Sequence, residues 1–390
     1  MKKKVFIFLS MKPHEGGKYQ YSLAMLNSVD KLGKSGFKFY AIYYDKEWET
    51  MIPDSFSKII VKKRGFIVSV IRKIIMSLPV IGLKLWRRLS SKMDPVFKSL
   101  SIEKTDLIIF PGGDSLSYES TIPSLVTVFD LMHRYESRFP EVSGKKIYYQ
   151  REKHYKRLSK FSSAILVDSS VGKSQMIESY HTKPDKIFVI PFTAPDYVHN
   201  IAPIDVVKKY NLPERFVFYP AQFWTHKNHE NLLKAIGILR RKDIIINAVF
   251  VGSEKNRKER IIDIVNKSGL QNQVYILNYV SNQDLVSLYR SAVALVMPTF
   301  FGPTNIPQLE AFALECPVIT SNIYGIPDQV GDAALLVDPE DANDIAEKIE
   351  LLWHDQELRL KLISEGNKMN AKYSLTNFAS LLNDSLNSIL

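Results

Sequence analysis

The sequence predicts an α/β protein with two doubly wound domains in tandem. Its 390 residues are too many for one ordinary domain and suit two domains of about 150–200 residues each. A hydrophobic content of 45% lets each half bury a core of its own. Short apolar, β-branched runs alternate with helical patterns along the chain. Strands of this kind, joined by helices, form parallel sheets that are covered by helices on both faces.

The first domain is predicted over residues 1–195. After a basic start, the apolar run Val5–Leu9 is too short for the core of a secretory signal, so we expect it to form the first buried strand. A stretch rich in proline and polar residues, 191–207, predicts the linker to the second domain. The strand candidates of this half are 5–10, 38–45, 106–111, 124–130, 163–170 and 187–192.

The second domain is predicted over residues 196–372, where strands and helices alternate more regularly. Two such domains in tandem place the carboxyl ends of their strands, where ligands bind, on either side of one cleft. The strand candidates are 216–220, 245–252, 274–280, 292–299, 317–321 and 333–339. The helix candidates are 228–242, 257–269, 282–292, 305–315 and 342–355.

Two loops that follow predicted strands carry residues suited to anions. Gly16 and Gly17 open a helix whose first N–H groups can receive an anion, although a simple tight turn also explains the pair. The spacing excludes both a dinucleotide-binding fingerprint and a Walker phosphate loop. Lys227 stands just before a helix, where a cation suits a diphosphate. The alternative for Lys227 is a solvated loop lysine.

The stretch PTFFGPTNIPQLEAFALECP, residues 298–317, ends one strand and begins a helix. Its loop is broken by proline and glycine and carries the polar pair Thr304 and Asn305, and its helix carries Glu310. The single cysteine of the chain, Cys316, excludes a disulfide framework and a cysteine-based zinc site, and we expect it to be buried. One cysteine also fits a reducing cytoplasm.

Nearly all of the net charge of +11 lies between residues 58 and 98. This segment contains eleven basic residues and a single acidic residue, Asp94. Apolar residues interleave with these charges, and the longest uncharged run, Ile74–Leu83, is far short of the ~20 residues that span a bilayer. Pro79 divides the segment into two short helices. Basic amphipathic helices lie on anionic membranes. The alternative is helices packed on the domain with a solvated basic face. A nucleic-acid partner is not predicted, because no recognised binding signature is present.

From about Tyr219 to Asp341 the chain resembles a retaining, nucleotide-sugar-dependent glycosyltransferase of the GT-B fold, family 4. The motifs that carry the resemblance are PAQFWTHKNHENLLKAI and PTFFGPTNIPQLEAFALECPVITS. Weaker matches continue in the first half, in EGGKYQYSLA, LVTVFDLMHRYESRFPE and SAILVDSSVGKSQMI. The last stretch, 373–390, resembles the closing helix that returns to the first domain in this family.

The resemblance implies how the donor is held in the second domain. Glu310 would accept hydrogen bonds from the ribose hydroxyls, and Val280 would present backbone groups to the base. Thr304, Asn305 and Ile306 would lie at a helix N-terminus that faces the diphosphate, which agrees with the electrostatics of such a terminus.

The resemblance also implies the chemistry. Lys227 would neutralise the departing diphosphate of a UDP- or GDP-linked sugar, without a metal ion. Asp130 and His133 would face the sugar or the acceptor, with Gly16 and Gly17 at a phosphate or acceptor loop in the acceptor-binding first domain. The enzyme would be a cytoplasmic, membrane-peripheral hexosyltransferase that acts with retention of configuration on a lipid-linked acceptor, in surface polysaccharide or glycolipid assembly.

Three positions depart from the family pattern. The first acid of the Glu-x7-Glu motif falls at Gly302, and the basic residue five positions before the lysine is Gln222, for which His226 or Lys255 are candidate substitutes. At the end of the predicted strand 124–130, where the family pattern has a histidine, this chain has Phe129. Two other functions therefore stay open: a GT-B nucleotide-sugar epimerase, and a non-catalytic protein that binds nucleotide sugars or membranes.

Overall fold

The computed structural model describes residues 2–12, 16–32, 36–78, 81–255 and 257–390. The chain divides into two compact units. The first unit contains Met1–Leu131, Tyr149–Pro191 and Leu375–Leu390, and the second contains Met132–Tyr148 and Phe192–Ser374. The segment Met132–Tyr148 was predicted within the first domain, and the structure groups it with the second unit instead.

In the first unit, the described residues form seven strands: β1 (Lys3–Leu9), β2 (Phe37–Tyr43), β3 (Ser57–Ile60), β4 (Leu107–Phe110), β5 (Ser124–Thr127), β6 (Ala164–Val167) and β7 (Ile187–Val189). They pair in parallel in the order β3-β2-β1-β4-β5-β6-β7. All six predicted strands are confirmed. The edge strand β3 was missed, because its residues are only half-buried or exposed and lysines flank its two isoleucines.

In the second unit, the described residues form six strands: β8 (Val217–Pro220), β9 (Ala248–Val251), β10 (Val274–Leu277), β11 (Ala294–Met297), β12 (Val318–Ser321) and β13 (Ala334–Val337). They also pair in parallel, in the order β10-β9-β8-β11-β12-β13. Every residue of β9 and β11 is buried, which explains why these runs are apolar throughout rather than alternating. The predicted parallel sheet is confirmed.

Helices occupy most of the segments between these strands in the described part of the chain. In chain order they are α1 (Gly16–Lys31), α2 (Phe66–Ser77), α3 (Gly82–Met93), α4 (Pro95–Ile102), α5 (Met132–Tyr135), α6 (Pro140–Ser143), α7 (Lys145–Phe161), α8 (Ser170–Tyr180), α9 (Tyr197–Asn200), α10 (Val206–Tyr210), α11 (His229–Arg241), α12 (Lys258–Lys267), α13 (Asn282–Ser291), α14 (Ile306–Ala313), α15 (Ile326–Val330), α16 (Ala342–His354), α17 (Gln356–Lys372) and α18 (Leu375–Ile389).

The helices that the sequence predicted are present with local signals at their ends. Helix α13 begins with a capping box, in which the Ser281 hydroxyl accepts from the backbone of Asp284 and the Asp284 carboxylate accepts in return. Pro307 lies in the first turn of α14, where its missing N–H costs nothing. Helices α2 and α3 confirm two short helices in the basic segment, although Pro79 itself lies outside the described residues.

The last helix, α18, belongs to the first unit and packs against α1. Phe378 is buried, and its ring lies 5.8 Å from the ring of Tyr21, edge to face. Leu382 and Leu386 are fully buried on the same helix face, at the four-residue spacing of a helix that covers a core. Cys316, in the second unit, is buried as predicted, and burial raises the pKa of its thiol to about 12.

Candidate functional site

The carboxyl ends of β8 and β11 are the place where a ligand site is expected in the second unit. From β8 the sheet continues through β9 and β10 on one side, and β11 begins the other side. Parallel sheets bind ligands at such a reversal of strand order, outside the carboxyl ends. Loop 221–228 follows β8 and loop 298–305 follows β11. The fold therefore brings together two of the regions that the sequence singled out.

The backbone of Lys227 is fixed against neighbouring strand ends. Lys227 closes a single 3-10 turn, and its carbonyl accepts a hydrogen bond from the Tyr219 hydroxyl at 2.6 Å. The next residue, Asn228, has a left-handed backbone with φ of 59°. Its amide donates to the carbonyls of Pro298 at 2.8 Å and Pro339 at 2.7 Å. One buried side chain thus ties together the loops after β8, β11 and β13.

The ammonium of Lys227 is half-buried and is held without an anion. Within the described residues, Nζ has neither a hydrogen-bonding nor an ion-pairing partner. Burial lowers the pKa of Lys227 from its ordinary 10.5 to about 8, because desolvation disfavours the charged form. A desolvated cation at the sheet's ligand-binding edge is suited to an anionic ligand.

In the loop after β11, Gly302 and Asn305 are in close contact. Gly302 has a φ of 127°, which side chains rarely adopt, and a Cβ there would lie 2.8 Å from Asn305 Nδ2. The Asn305 backbone is held by a reciprocal pair with the Gln329 amide, at 3.0 and 2.7 Å. Its Nδ2 is buried with no hydrogen-bond partner in the described part of the chain. At residue 302, where the family pattern has an acid, the side-chain carboxamide of Asn305 therefore lies next to the position that a Cβ would take.

The remaining predicted residues of this loop lie at the start of α14. Thr304 is buried and Asn305 is the N-cap residue, although its side chain makes no capping hydrogen bond. Ile306 is the first residue of the helix. The polar break before the helix thus coincides with its N-terminus, as predicted.

Glu310 is buried one turn into α14 between two tyrosines that sequence reasoning missed. The Tyr197 hydroxyl donates to Oε1 at 2.5 Å, and the Tyr289 hydroxyl donates to Oε2 at 2.6 Å. Burial raises the pKa of Glu310, and the two hydrogen bonds lower it in part. The tyrosines come from α9 and α13, 113 and 21 residues away along the chain, so no local pattern indicates them.

His226 is bound by a third residue that the sequence did not reveal, Glu141. The carboxylate oxygen Oε1 of Glu141 lies 2.8 Å from Nδ1 of His226 and accepts the backbone N–H of His226 at 3.1 Å. The imidazole stacks on the Phe301 ring at a centroid distance of 3.8 Å. Burial raises the pKa of Glu141, but hydrogen bonds from His226 outweigh it, so that the pKa is lowered.

The other second-unit residues lie near these loops or along the same edge. Gln222 is exposed, and its Oε1 accepts from Trp224 Nε1 at 2.9 Å. The Lys255 ammonium lies 5.4 Å from the centre of the Trp224 ring. Val280 is buried just after β10, next to Tyr279, whose side chain is 78% exposed. His133 is fully buried, with its ring 5.5 Å from that of Tyr148.

In the first unit, the predicted residues lie at strand and helix ends. Gly16 has a left-handed φ of 66° at the start of α1, and Gly16 and Gly17 are both exposed. Asp130 follows β5 and forms an ion pair with Arg151 of α7. Asp114, which the sequence analysis did not single out, follows β4, and burial raises the pKa of its carboxyl.

Among the described residues, no group of three or more His, Cys, Asp or Glu side chains is arranged to hold a metal ion. The metal independence expected from the family resemblance stays a prediction.

One family model and two kinds of relatives match the chain. Residues 203–369 match the family described as Glycosyl transferases group 1. The chain is 26% identical over 218 residues to the O-antigen chain mannosyltransferase B of Escherichia coli. The aligned region covers 55% of this chain and 57% of that protein. The chain thus spans little more than half the length of this curated relative.

Solved structures match over nearly the whole chain. Sucrose-phosphate synthase from Thermosynechococcus elongatus superposes with a TM-score of 0.74 at 17% identity, covering 99% of this chain and 98% of that one. Anabaena HepE in complex with UDP and glucose superposes with a TM-score of 0.70 at 13% identity, covering 99% and 100%. Such low identities establish the fold alone. Residues 203–369 thus match the glycosyl transferases group 1 family, and the chain has the GT-B fold.

Proposed function

We propose that this protein transfers a hexose from a UDP- or GDP-linked donor to an acceptor, with retention of configuration, as a family 4 glycosyltransferase. The observation that carries the proposal is Lys227, a half-buried cation without an anion at the edge where β8 meets β11. The family match and the O-antigen mannosyltransferase relative support sugar transfer in surface polysaccharide assembly.

The second unit holds the donor in this proposal. The leaving diphosphate lies between Lys227 and the N-terminus of α14, where Thr304, Asn305 and Ile306 present the first backbone groups. Fixed cations and dipoles stabilise the charge that develops as the sugar bond breaks, which is the largest effect that a preorganised site supplies. Val280 contacts the base.

Glu310 binds the ribose hydroxyls in this arrangement, and two tyrosine hydrogen bonds support that role. Tyr197 and Tyr289 each use one of its oxygens. A carboxylate oxygen has two lone pairs, so that each can accept a second hydrogen bond. The two tyrosines fix the orientation of the Glu310 carboxylate, so the ribose hydroxyls donate to a carboxylate that is already held in place.

The first unit holds the acceptor, which we propose is lipid-linked. Asp130, oriented by its ion pair with Arg151, and the exposed turn at Gly16 and Gly17 are the candidate contacts. His133 is assigned to the sugar or acceptor on the family resemblance alone, and its complete burial requires a movement of its surroundings before it can touch either.

The surface of α2 supports a membrane-bound acceptor. No residue of this helix is buried, and Phe66, Ile67 and Ile74 are 83%, 73% and 61% exposed. The exposed Lys73 lies on the same helix as these apolar residues, and the exposed Lys84 lies on the next helix, α3. In the described residues, no helix is long and apolar enough to cross a membrane. We propose that α2 lies on an anionic membrane surface, as basic amphipathic helices do.

Not every charge of the basic segment takes part in that contact. Arg64 and Arg72 both bind the buried carboxylate of Glu119, and Arg64 also pairs with Asp94. Arg87 donates to the carbonyl of Tyr118 at 2.8 Å. These arginines hold the helices on the first unit, and the exposed lysines supply the charge for a membrane.

A panel of nucleotide sugars tests the proposal, first by thermal shift and then by nucleotide release. A donor at 100 times its dissociation constant stabilises the protein by about 2.7 kcal/mol. We expect the stabilising donor to release its nucleotide only when an acceptor is present, and Lys227→Ala to lower turnover at least tenfold. The matched control is Lys242→Ala, an exposed lysine of the same unit that pairs with Glu350.

Three results contradict the proposal. Full turnover in Lys227→Ala refutes the role of this lysine. Conversion of the donor's sugar to its epimer without an acceptor favours the epimerase. Donor binding without nucleotide release, with any acceptor, favours a non-catalytic binding protein.

A further inference from the structure

The segment 132–148 packs on loops of the second unit through several side chains. The Tyr324 hydroxyl donates to Glu136 at 2.7 Å, and Arg138 forms an ion pair with Glu340. The ring of Phe139 stacks on that of Phe300, with centroids 5.4 Å apart. These contacts hold the segment against residues that follow β11, β12 and β13.

Glu141 of this segment reaches the loop that carries Lys227. Its Oε1 binds both Nδ1 and the backbone N–H of His226, at 2.8 and 3.1 Å. The His226 carbonyl in turn accepts the Phe300 N–H at 2.8 Å and the Thr299 hydroxyl at 3.2 Å. His226 therefore joins Glu141 to both loops at the reversal of strand order, directly before Lys227 in the chain.

The contact also sets the state of the imidazole. Because a carboxylate only accepts, Nδ1 of His226 carries the proton. Glu141 thus fixes the tautomer and the orientation of the imidazole directly before Lys227.

The stability of the folded protein does not by itself explain why residue 141 is a glutamate. The second oxygen, Glu141 Oε2, is buried, and in the described part of the chain it has no hydrogen-bond partner. Leaving such an oxygen buried without a partner destabilises the folded protein, a cost that an apolar side chain of similar size avoids. At the neighbouring position where the family pattern has a cation, Gln222 is neutral and bound to Trp224.

We propose that Glu141 is a positioning residue of the donor site: through His226 it fixes the loop that carries Lys227 and the tautomer of the imidazole beside it. This inference rests on the proposed transfer reaction, because the diphosphate leaving group is what the positioned Lys227 stabilises. Glu141 touches neither donor nor acceptor and acts through His226.

The test compares Glu141→Ala and Glu141→Gln with Glu136→Gln. Glu136 lies on the same segment and binds Tyr324 instead of His226, so its variant controls for general loosening of the segment. We expect Glu141→Ala to lower kcat at least tenfold with less than a threefold change in donor KM, since the lost effect belongs to the transition state. Glu141→Gln keeps an acceptor and should lose less, and Glu136→Gln should stay within about twofold of wild type.

A nitrogen-15 spectrum of His226 supplies a readout that a purely structural role would leave unchanged. We expect a protonated Nδ1 in the wild type, Glu136→Gln and Glu141→Gln, and a changed protonation pattern in Glu141→Ala. The spectrum needs no donor, so it tests the contact even if the wild type transfers no sugar, in which case the proposed function fails separately. Unchanged kcat in Glu141→Ala, or an equal loss in Glu136→Gln, overturns the inference.

Discussion

Raising the pH from 7 to 9 should weaken the binding of a nucleoside diphosphate about tenfold through Lys227 alone. With a pKa of about 8, the ammonium is about 90% charged at pH 7 and about 10% charged at pH 9. If only the charged form binds the diphosphate, the apparent dissociation constant rises by the ratio of these fractions. The loss corresponds to about 1.4 kcal/mol.

The same lysine gives the free protein the opposite pH dependence. In the unfolded chain its pKa has the ordinary value of 10.5, and in the folded protein burial lowers the pKa to about 8. Between these two values the unfolded state binds more protons, so the free energy of unfolding rises with pH. At pH 7, Lys227→Met should stabilise the free protein by at most about 3 kcal/mol, since it removes the desolvated charge.

Calorimetric titration with UDP and with GDP at pH 7 and pH 9 checks both the affinity and its origin. A bound diphosphate restores the charged lysine, so binding takes up a proton at pH 9, which buffers of different ionisation heat reveal. Lys227→Met should bind weakly at both pH values, and Lys242→Met should behave as the wild type. Equal affinity at pH 7 and 9 in the wild type, or an unchanged pH dependence in Lys227→Met, refutes the reasoning.

Other parts of the structure give three further predictions. Gly302→Ala should cost about 1–3 kcal/mol of unfolding free energy in urea, since its φ is strained for alanine; Asn305→Ala should recover part of this by removing the clash, and unchanged stability contradicts the geometry. Tyr289→Phe should cost about 1–3 kcal/mol by leaving Oε2 of buried Glu310 without its donor, and an unchanged urea midpoint would argue against that hydrogen bond. Lys73→Glu should weaken co-sedimentation with anionic vesicles by about 2 kcal/mol at low salt, whereas equal binding to neutral vesicles rules out the electrostatic contact.

The fold was predictable because its strands are buried on both faces. Runs such as those of β9 and β11 contain only apolar residues, a pattern that few other structures produce at strand length. Edge strand β3 escaped prediction because a strand with an open side needs no such run. The strand order was not predicted, and it is the observed neighbourhood of β8 and β11 that places Lys227 and Asn305 at one edge of the sheet.

The partners of the site residues were not predictable. Tyr197 and Glu141 reach Glu310 and His226 across 113 and 85 residues of chain, and neither has a local signature. The contact between Gly302 and Asn305 shows a different limit. The sequence indicated that an acid was absent at 302, but only the backbone dihedral and the position of Asn305 reveal that a side chain would not fit there.

The placement of α18 has a consequence for the order in which this protein is completed during synthesis. The first unit contains Leu375–Leu390, and Phe378 of that helix is buried against α1. Chains emerge from the ribosome N-terminus first. Helix α18, which packs on α1, is therefore synthesised only after the whole second unit. Until then, α1 exposes an apolar face that a chaperone can bind.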